Sequence, residues 1–167
     1  VPQQSAKTLA ATWGPVLDRR SQESGIKIKF ITAKNIPTFE ERLLQGKYDI
    51  AYMNPYHYVL YHQASGYLAM AKEKDKLLQG IIVVSKNSDM YDLEDLQKVE
   101  MAFPAPASFA ATIIPLAHLA KMNIRTKETF VYSHDSVYLN VAKGFFNAGG
   151  GVMRTLKTTP AEVQDKL

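Results

Sequence analysis

Three segments place polar groups where an extended run gives way to a helical one, the position from which loops present ligand-binding groups. The first is Pro104-Ala105-Pro106-Ala107-Ser108-Phe109-Ala110-Ala111-Thr112. Its prolines keep the preceding residues extended, and Ser108 is a natural N-cap whose oxygen can accept from the second or third helical amide. Amides that open a helix lack intrahelical acceptors, and with the positive end of the helix dipole they bind anions without a charged side chain. Ser108 and the N–H groups of Phe109 and Ala110 are therefore candidates to grip an oxyanion, with plain capping as the alternative role for Ser108.

The second segment, Ser133-His134-Asp135, also lies between a strand and a helix. Members of a catalytic triad must point at one another, which three consecutive residues do not do, and no G-x-S-x-G elbow accompanies them. Ser133 or Asp135 fits a helix cap, while His134, neutral or charged, can donate to a ligand oxygen. Its ordinary pKa near 6.5 makes stronger anion binding at lower pH the expectation for a charged imidazole. The third segment is Tyr52-Met53-Asn54-Pro55-Tyr56-His57-Tyr58. Phenol and amide groups of Tyr52, Asn54 and Tyr56 at a strand exit could orient a polar ligand. Tyr58, Tyr61 and His62 read as structural, by their helical spacing.

The elements that must position these groups follow from periodicity. Leu9, Ala10, Trp13, Val16 and Leu17 mark a helix over Ser5 to Arg20, and Ile26 to Phe30 alternates as a strand. A helix over Phe39 to Leu44, a strand over Tyr48 to Tyr52 and a helix over Tyr56 to Ala64 come next. Strands are expected at Tyr67 to Ala71 and Gly80 to Val84. After the polar stretch Ser85 to Asp92, the rhythm restarts with strand Val99 to Phe103, helix Phe109 to Met122, strand Thr129 to Tyr132, helix Ser136 to Lys143 and strand Gly149 to Met153. Two α/β units joined near Ser85 predict a first lobe over 1–85 and a second over 86–157. Thr159 as cap and Pro160 at the first helical position open a further helix over 158–167, leading back to the first lobe. The helix that starts just after Pro2 and this late helix start predict a fold incomplete at both ends, the first lobe lacking its first strand and its C-terminal return.

Composition narrows the function classes. The 20 basic residues are scattered among 16 acidic ones and form no run of the nucleic-acid-binding kind. No apolar stretch reaches the roughly 20 residues a membrane span needs; Phe109 to Met122 is broken by Pro115, His118 and Lys121. Zero cysteines remove disulfides and thiolate metal sites and fit an oxidising compartment. His57, His62, His118 and His134 show no metal-ligand pairing, so neither a metal nor a cofactor is expected.

Four stretches in order resemble the phosphonate/phosphate/phosphite-binding proteins of bacterial ABC transporters. They are Phe39 to Tyr58, with Lys47-Tyr48-Asp49-Ile50-Ala51-Tyr52 leading into Asn54-Pro55; Gly80 to Leu96, with Asp92-Leu93 and Asp95-Leu96; Ala102 to Pro115; and Ser133 to Gly150. The resemblance implies a type II periplasmic-binding-protein fold with a ligand gripped between closing lobes. It implies an ABC permease as partner, a small oxyanion as ligand, and a periplasmic location with an N-terminal segment removed or serving as anchor. It matches the oxyanion loop to Ser108, Phe109 and Ala110, the His-Asp pair to His134 and Asp135, and aromatic closing positions to Tyr52 and Tyr56. Where the family often carries three small hydroxyl residues this chain keeps only Ser108, and a family aspartate stands here as Asn147. The alternatives are an extracytoplasmic sensory domain of a receptor or kinase, and an enzyme, either pyrimidine-synthase-like on the same fold or a hydrolase using His134.

Overall fold

The computed structural model describes residues 1–167. Its elements fall into two groups. The first holds α1 (Ala6–Ser24), α2 (Ile36–Leu44) and α3 (Pro55–Ser65). Ser5 caps α1 by accepting from the Thr8 amide, and Gly25 ends it at φ 70°, a left-handed conformation that costs glycine little. Asn35 and Asn54 cap α2 and α3, each ahead of a proline in the first turn. Ala33, Phe39, Leu43 and Tyr48 form the core here, with Met53, Tyr61 and Tyr67 packed on it. Trp13 on α1 stacks at 5.4 Å on Tyr52.

The three strands expected in this group, Ile26 to Phe30, Tyr48 to Tyr52 and Tyr67 to Ala71, do not form. A strand needs a neighbour to complete its ladder, and here side chains take that place. The Ile28 amide donates to Ser21 Oγ at 2.9 Å, Arg42 donates to the Thr32 carbonyl at 3.0 Å, and the Tyr67 hydroxyl both donates to the Tyr48 carbonyl at 2.9 Å and accepts from its amide at 3.4 Å. These segments run extended beneath α1, around a cavity of about 640 Å³ lined in part by Trp13, Ile28, Phe30 and Tyr48.

The second group is one four-stranded sheet, β1 (Gly80–Val84), β2 (Glu100–Phe103), β3 (Lys127–Phe130) and β4 (Ala148–Val152), in the order β1-β4-β2-β3. β2 pairs in parallel with β3 and β4, and β1 runs antiparallel to β4 with Gly80 opposite Val152. The sequence placed Gly80 to Val84 before the break near Ser85. Instead it belongs to the second group's sheet, because five consecutive residues find their ladder on β4. One face carries Met101, Phe103 and Ala148 against Leu96, Leu119 and Ile124. The other carries Val83 and Ala102 against Val137, Tyr138 and Val141. This alternation along β1 and β2 is the two-residue period of a strand buried on both faces.

On the first face lie a π-helical turn, Phe109–Ile113, and α4 (Ile114–Lys121). On the second lie α5 (His134–Ala142) and the short α6 (Met153–Leu156) and α7 (Ala161–Gln164). Thr159 does not cap α7; its hydroxyl donates back to the Thr155 carbonyl at 3.0 Å, and Pro160 takes the cap position. Nor does 158–167 lead away from the second group. Val163 and Leu167 pack on the Val137–Tyr138–Val141 cluster, and the Lys86 amide donates to the Lys166 carbonyl at 2.8 Å.

Candidate functional site

β2, β3 and β4 are parallel, so their C-terminal ends leave the sheet at one edge, where open α/β sheets place ligands. β2 delivers the Pro104-to-Ser108 loop there, β3 delivers Ser133 and His134, and β4 delivers Met153 and Arg154. The first group of elements meets each of the three. Asn54 Nδ2 donates to the Ala107 carbonyl at 3.2 Å, the Ser5 amide donates to Asp135 Oδ2 at 3.2 Å, and Arg154 donates to the Tyr52 hydroxyl at 2.7 Å.

The β2 loop is a turn fastened from within. The Ala105 carbonyl accepts from the Ser108 amide at 3.2 Å and from the buried Thr112 hydroxyl at 2.9 Å. Thr112, which the sequence reading gave no role, locks the loop. Ser108 stands at the N-cap position, yet its side chain makes no capping bond, contrary to expectation. The helix it opens is of the π type: the Ser108 carbonyl accepts from both Thr112 at 2.7 Å and Ile113 at 3.2 Å, and the Ile114 amide reaches the Phe109 carbonyl. Pro115 accounts for the wide turn, since it has no N–H to give the Ala111 carbonyl that an α turn would pair with it. The amides of Phe109, Ala110 and Ala111 donate to no group of the chain.

Glycines on β1 and β4 let this turn lie directly on the sheet. A Cβ at Gly80 would stand 2.1 Å from the Ala110 carbonyl oxygen, and one at Gly150 would stand 2.0 Å from that of Ala111. On the opposite face Gly149 and Gly151 admit Val137 and the Tyr138 ring. Tyr138, fully buried, accepts from the Val152 amide and donates to its carbonyl, both at 2.9 Å, pinning the end of β4.

At the β3 exit the three adjacent polar side chains part company. Ser133 caps α5, accepting from the Ser136 amide at 3.1 Å, and Asp135 accepts from Ser5. His134 is buried with Nδ1 lacking any partner. No relay joins them. Burial pushes the His134 pKa down to about 4, so near neutrality the imidazole is uncharged, the neutral of the two forms in which it could donate. Burial also raises the Asp135 carboxyl, with the Ser5 amide working the other way.

Across the cleft, both ends of the Asn54 amide are engaged, Oδ1 by the His57 amide at 2.7 Å and Nδ2 by Ala107. Tyr56 sits half-buried in the first turn of α3, and Tyr52 is largely exposed. His57, passed over as a candidate, is fully buried among Phe39 and Tyr61, its Nε2 at 2.9 Å from Glu40. Arg154 was missed as well. A lone arginine three residues past a glycine run carries no sequence signal; only the parallel register of β4 brings it to the edge. No three His, Asp or Glu side chains are grouped to hold a metal ion, and no helix is long and apolar enough to cross a membrane.

The chain is similar to the Phosphate-import protein PhnD of Mycolicibacterium smegmatis (strain ATCC 700084 / mc(2)155), 22% identical over an alignment that covers 89% of this chain and 52% of that protein. It thus spans about half the length of this curated relative. Among solved structures it superposes with a TM-score of 0.84, at 18% identity over 95% of this chain and 63% of the other, on PhnD1 from Prochlorococcus marinus in complex with methylphosphonate. A binding-protein component of an ABC phosphonate transporter from Pseudomonas aeruginosa gives a TM-score of 0.80 at 18% identity, over 98% of this chain and 60% of that one. These likenesses carry the fold, the type II periplasmic-binding-protein architecture expected from the sequence. The family described as the periplasmic substrate-binding protein of phosphonate ABC transporters matches residues 1–167, the whole of the chain, and to that family the chain belongs.

Proposed function

We propose that this chain is the ligand-holding part of the solute-binding component of an ABC uptake system, and that it binds a phosphonate, phosphite or phosphate group between its two groups of elements, which act as the two lobes. The observation that carries this reading is the row of unpaired amides at Phe109, Ala110 and Ala111, at a sheet edge that the first group faces. Such amides hold an oxyanion through hydrogen bonds to a charged acceptor, whichever hydroxyl residues are lost from the loop. His134, kept neutral by burial, adds a donor that does not depend on protonation. Membership of a family of substrate-binding proteins supports capture and release rather than bond making. It also supports a periplasmic location and delivery of the ligand to a membrane permease. Calorimetric titration of the protein with methylphosphonate, phosphite and phosphate tests the reading. Saturable binding of one of them is expected, and no binding of any of the three overturns it.

A further inference from the structure

The third segment at the sheet edge has no role in the reading above. Arg154 stands two residues beyond β4 in a cavity of about 440 Å³, within the size range of small-molecule sites. Asn54 and Tyr52 line this cavity on one side. Val152 and Leu78 line it on the other, and both pack against Ala110 and Ala111 of the oxyanion turn. The cavity thus adjoins the anion grip, and it extends toward the connection that carries Glu73 and Lys76.

Its charge is one-sided. Arg154, Lys76 and Lys157 line it against the single carboxylate of Glu73. Glu73 accepts from Arg154 at 3.1 Å and pairs with Lys76 at 3.0 Å, and the lysine hydrogen bond is the main cause that holds its carboxyl below the ordinary carboxylate value. A guanidinium has five N–H donors; one is given to Glu73 and one to the Tyr52 hydroxyl, which leaves three. The Tyr52 bond fixes the plane of the fork across the cleft.

We infer that Arg154 is a specificity residue that pairs with a second anionic group on the ligand, so that the site selects a carboxylate-bearing phosphonate over a neutral or amine-bearing one. The inference rests on the proposed binding of a phosphonate-like group by the Phe109–Ala111 amides. A planar carboxylate matches the guanidinium fork, whereas an ammonium group would face three cations with one carboxylate already paired.

Calorimetry with methylphosphonate, aminoethylphosphonate and phosphonopropionate decides it, on the protein and on its Arg154→Gln and Arg154→Lys variants. Phosphonopropionate is expected to bind about tenfold or more tighter than the other two, the range of one charge-assisted pair. In Arg154→Gln the ratio of phosphonopropionate to methylphosphonate affinity falls to about one, even where loss of the Tyr52 bond weakens both; Arg154→Lys keeps part of that ratio. Equal affinities, a preference for the amine, or an advantage that survives Arg154→Gln overturns the inference. A complete loss of methylphosphonate binding in Arg154→Gln overturns it too, because Arg154 would then serve closure and not the tail. If none of the three ligands binds the unaltered protein the inference is overturned, and the oxyanion reading fails with it only if phosphite and phosphate do not bind either.

Discussion

His134 and Ser108 show what a single residue's type can and cannot tell. Both were legible as candidates because each lies at a strand-to-helix exit; their states were not, because burial and helix type depend on segments far away in the chain. With the His134 value near 4 against an ordinary 6.5, the unfolded chain takes up a proton that the folded protein refuses. The His134 contribution to stability is therefore full above pH 6.5 and falls as the pH drops through 6.5 toward about 4, by at most about 3 kcal/mol. Urea denaturation across that range should show the slope, and His134→Gln should flatten it. Ser108 makes no cap bond, so Ser108→Ala should leave stability within about 0.5 kcal/mol of the unaltered protein. If its hydroxyl bonds the ligand, affinity weakens by about 1.5 to 3 kcal/mol. Titration and denaturation of the same sample separate the two effects.

Among the elements, those of the second group were readable because their hydrophobic period is carried by their own residues: β2, α4, α5 and β4 stand within a few residues of their expected places. The π turn was not, although its cause, Pro115, is visible in the sequence. A proline in the first turn usually marks a helix start, and the turn before it finds its place through contact with the glycines of β1 and β4. That contact yields a test in two glycines. Gly150→Ala puts a methyl group against the Ala111 carbonyl and the Phe103 ring, and backbone must move to admit it. A loss of about 1–3 kcal/mol or more is expected, together with weakened anion binding as the turn shifts. Gly14→Ala, inside α1 with open space around it, should instead stabilise by about 0.5–1 kcal/mol. Thermal melts of the two variants should move in opposite directions.

For the molecule as a whole, the α/β rhythm announces elements and their order, but not the side to which Gly80–Val84 belongs. Alternating apolar residues announce a strand, not its partner. The same limit explains the first group, where Ile26 to Phe30 has the pattern of a strand and no ladder. Asn54 links the groups, capping α3 with one end of its amide and holding Ala107 with the other. Asn54→Asp keeps the cap and sets a carboxylate against that carbonyl. The unliganded protein should then open, with a larger radius of gyration by X-ray scattering and a lower ligand affinity, while its melting temperature changes little. An unchanged radius would show that Asn54 does not govern closure.

Trp13 is the only tryptophan in the chain. It rests on the ring of Tyr52, and Arg154 from the far side of the cleft donates to the Tyr52 hydroxyl. Any change in how the two groups meet alters the surroundings of that phenol and, through it, of the indole. The protein therefore carries a built-in optical reporter: its intrinsic fluorescence should change in intensity and wavelength as ligand is added, following capture in real time without an attached dye.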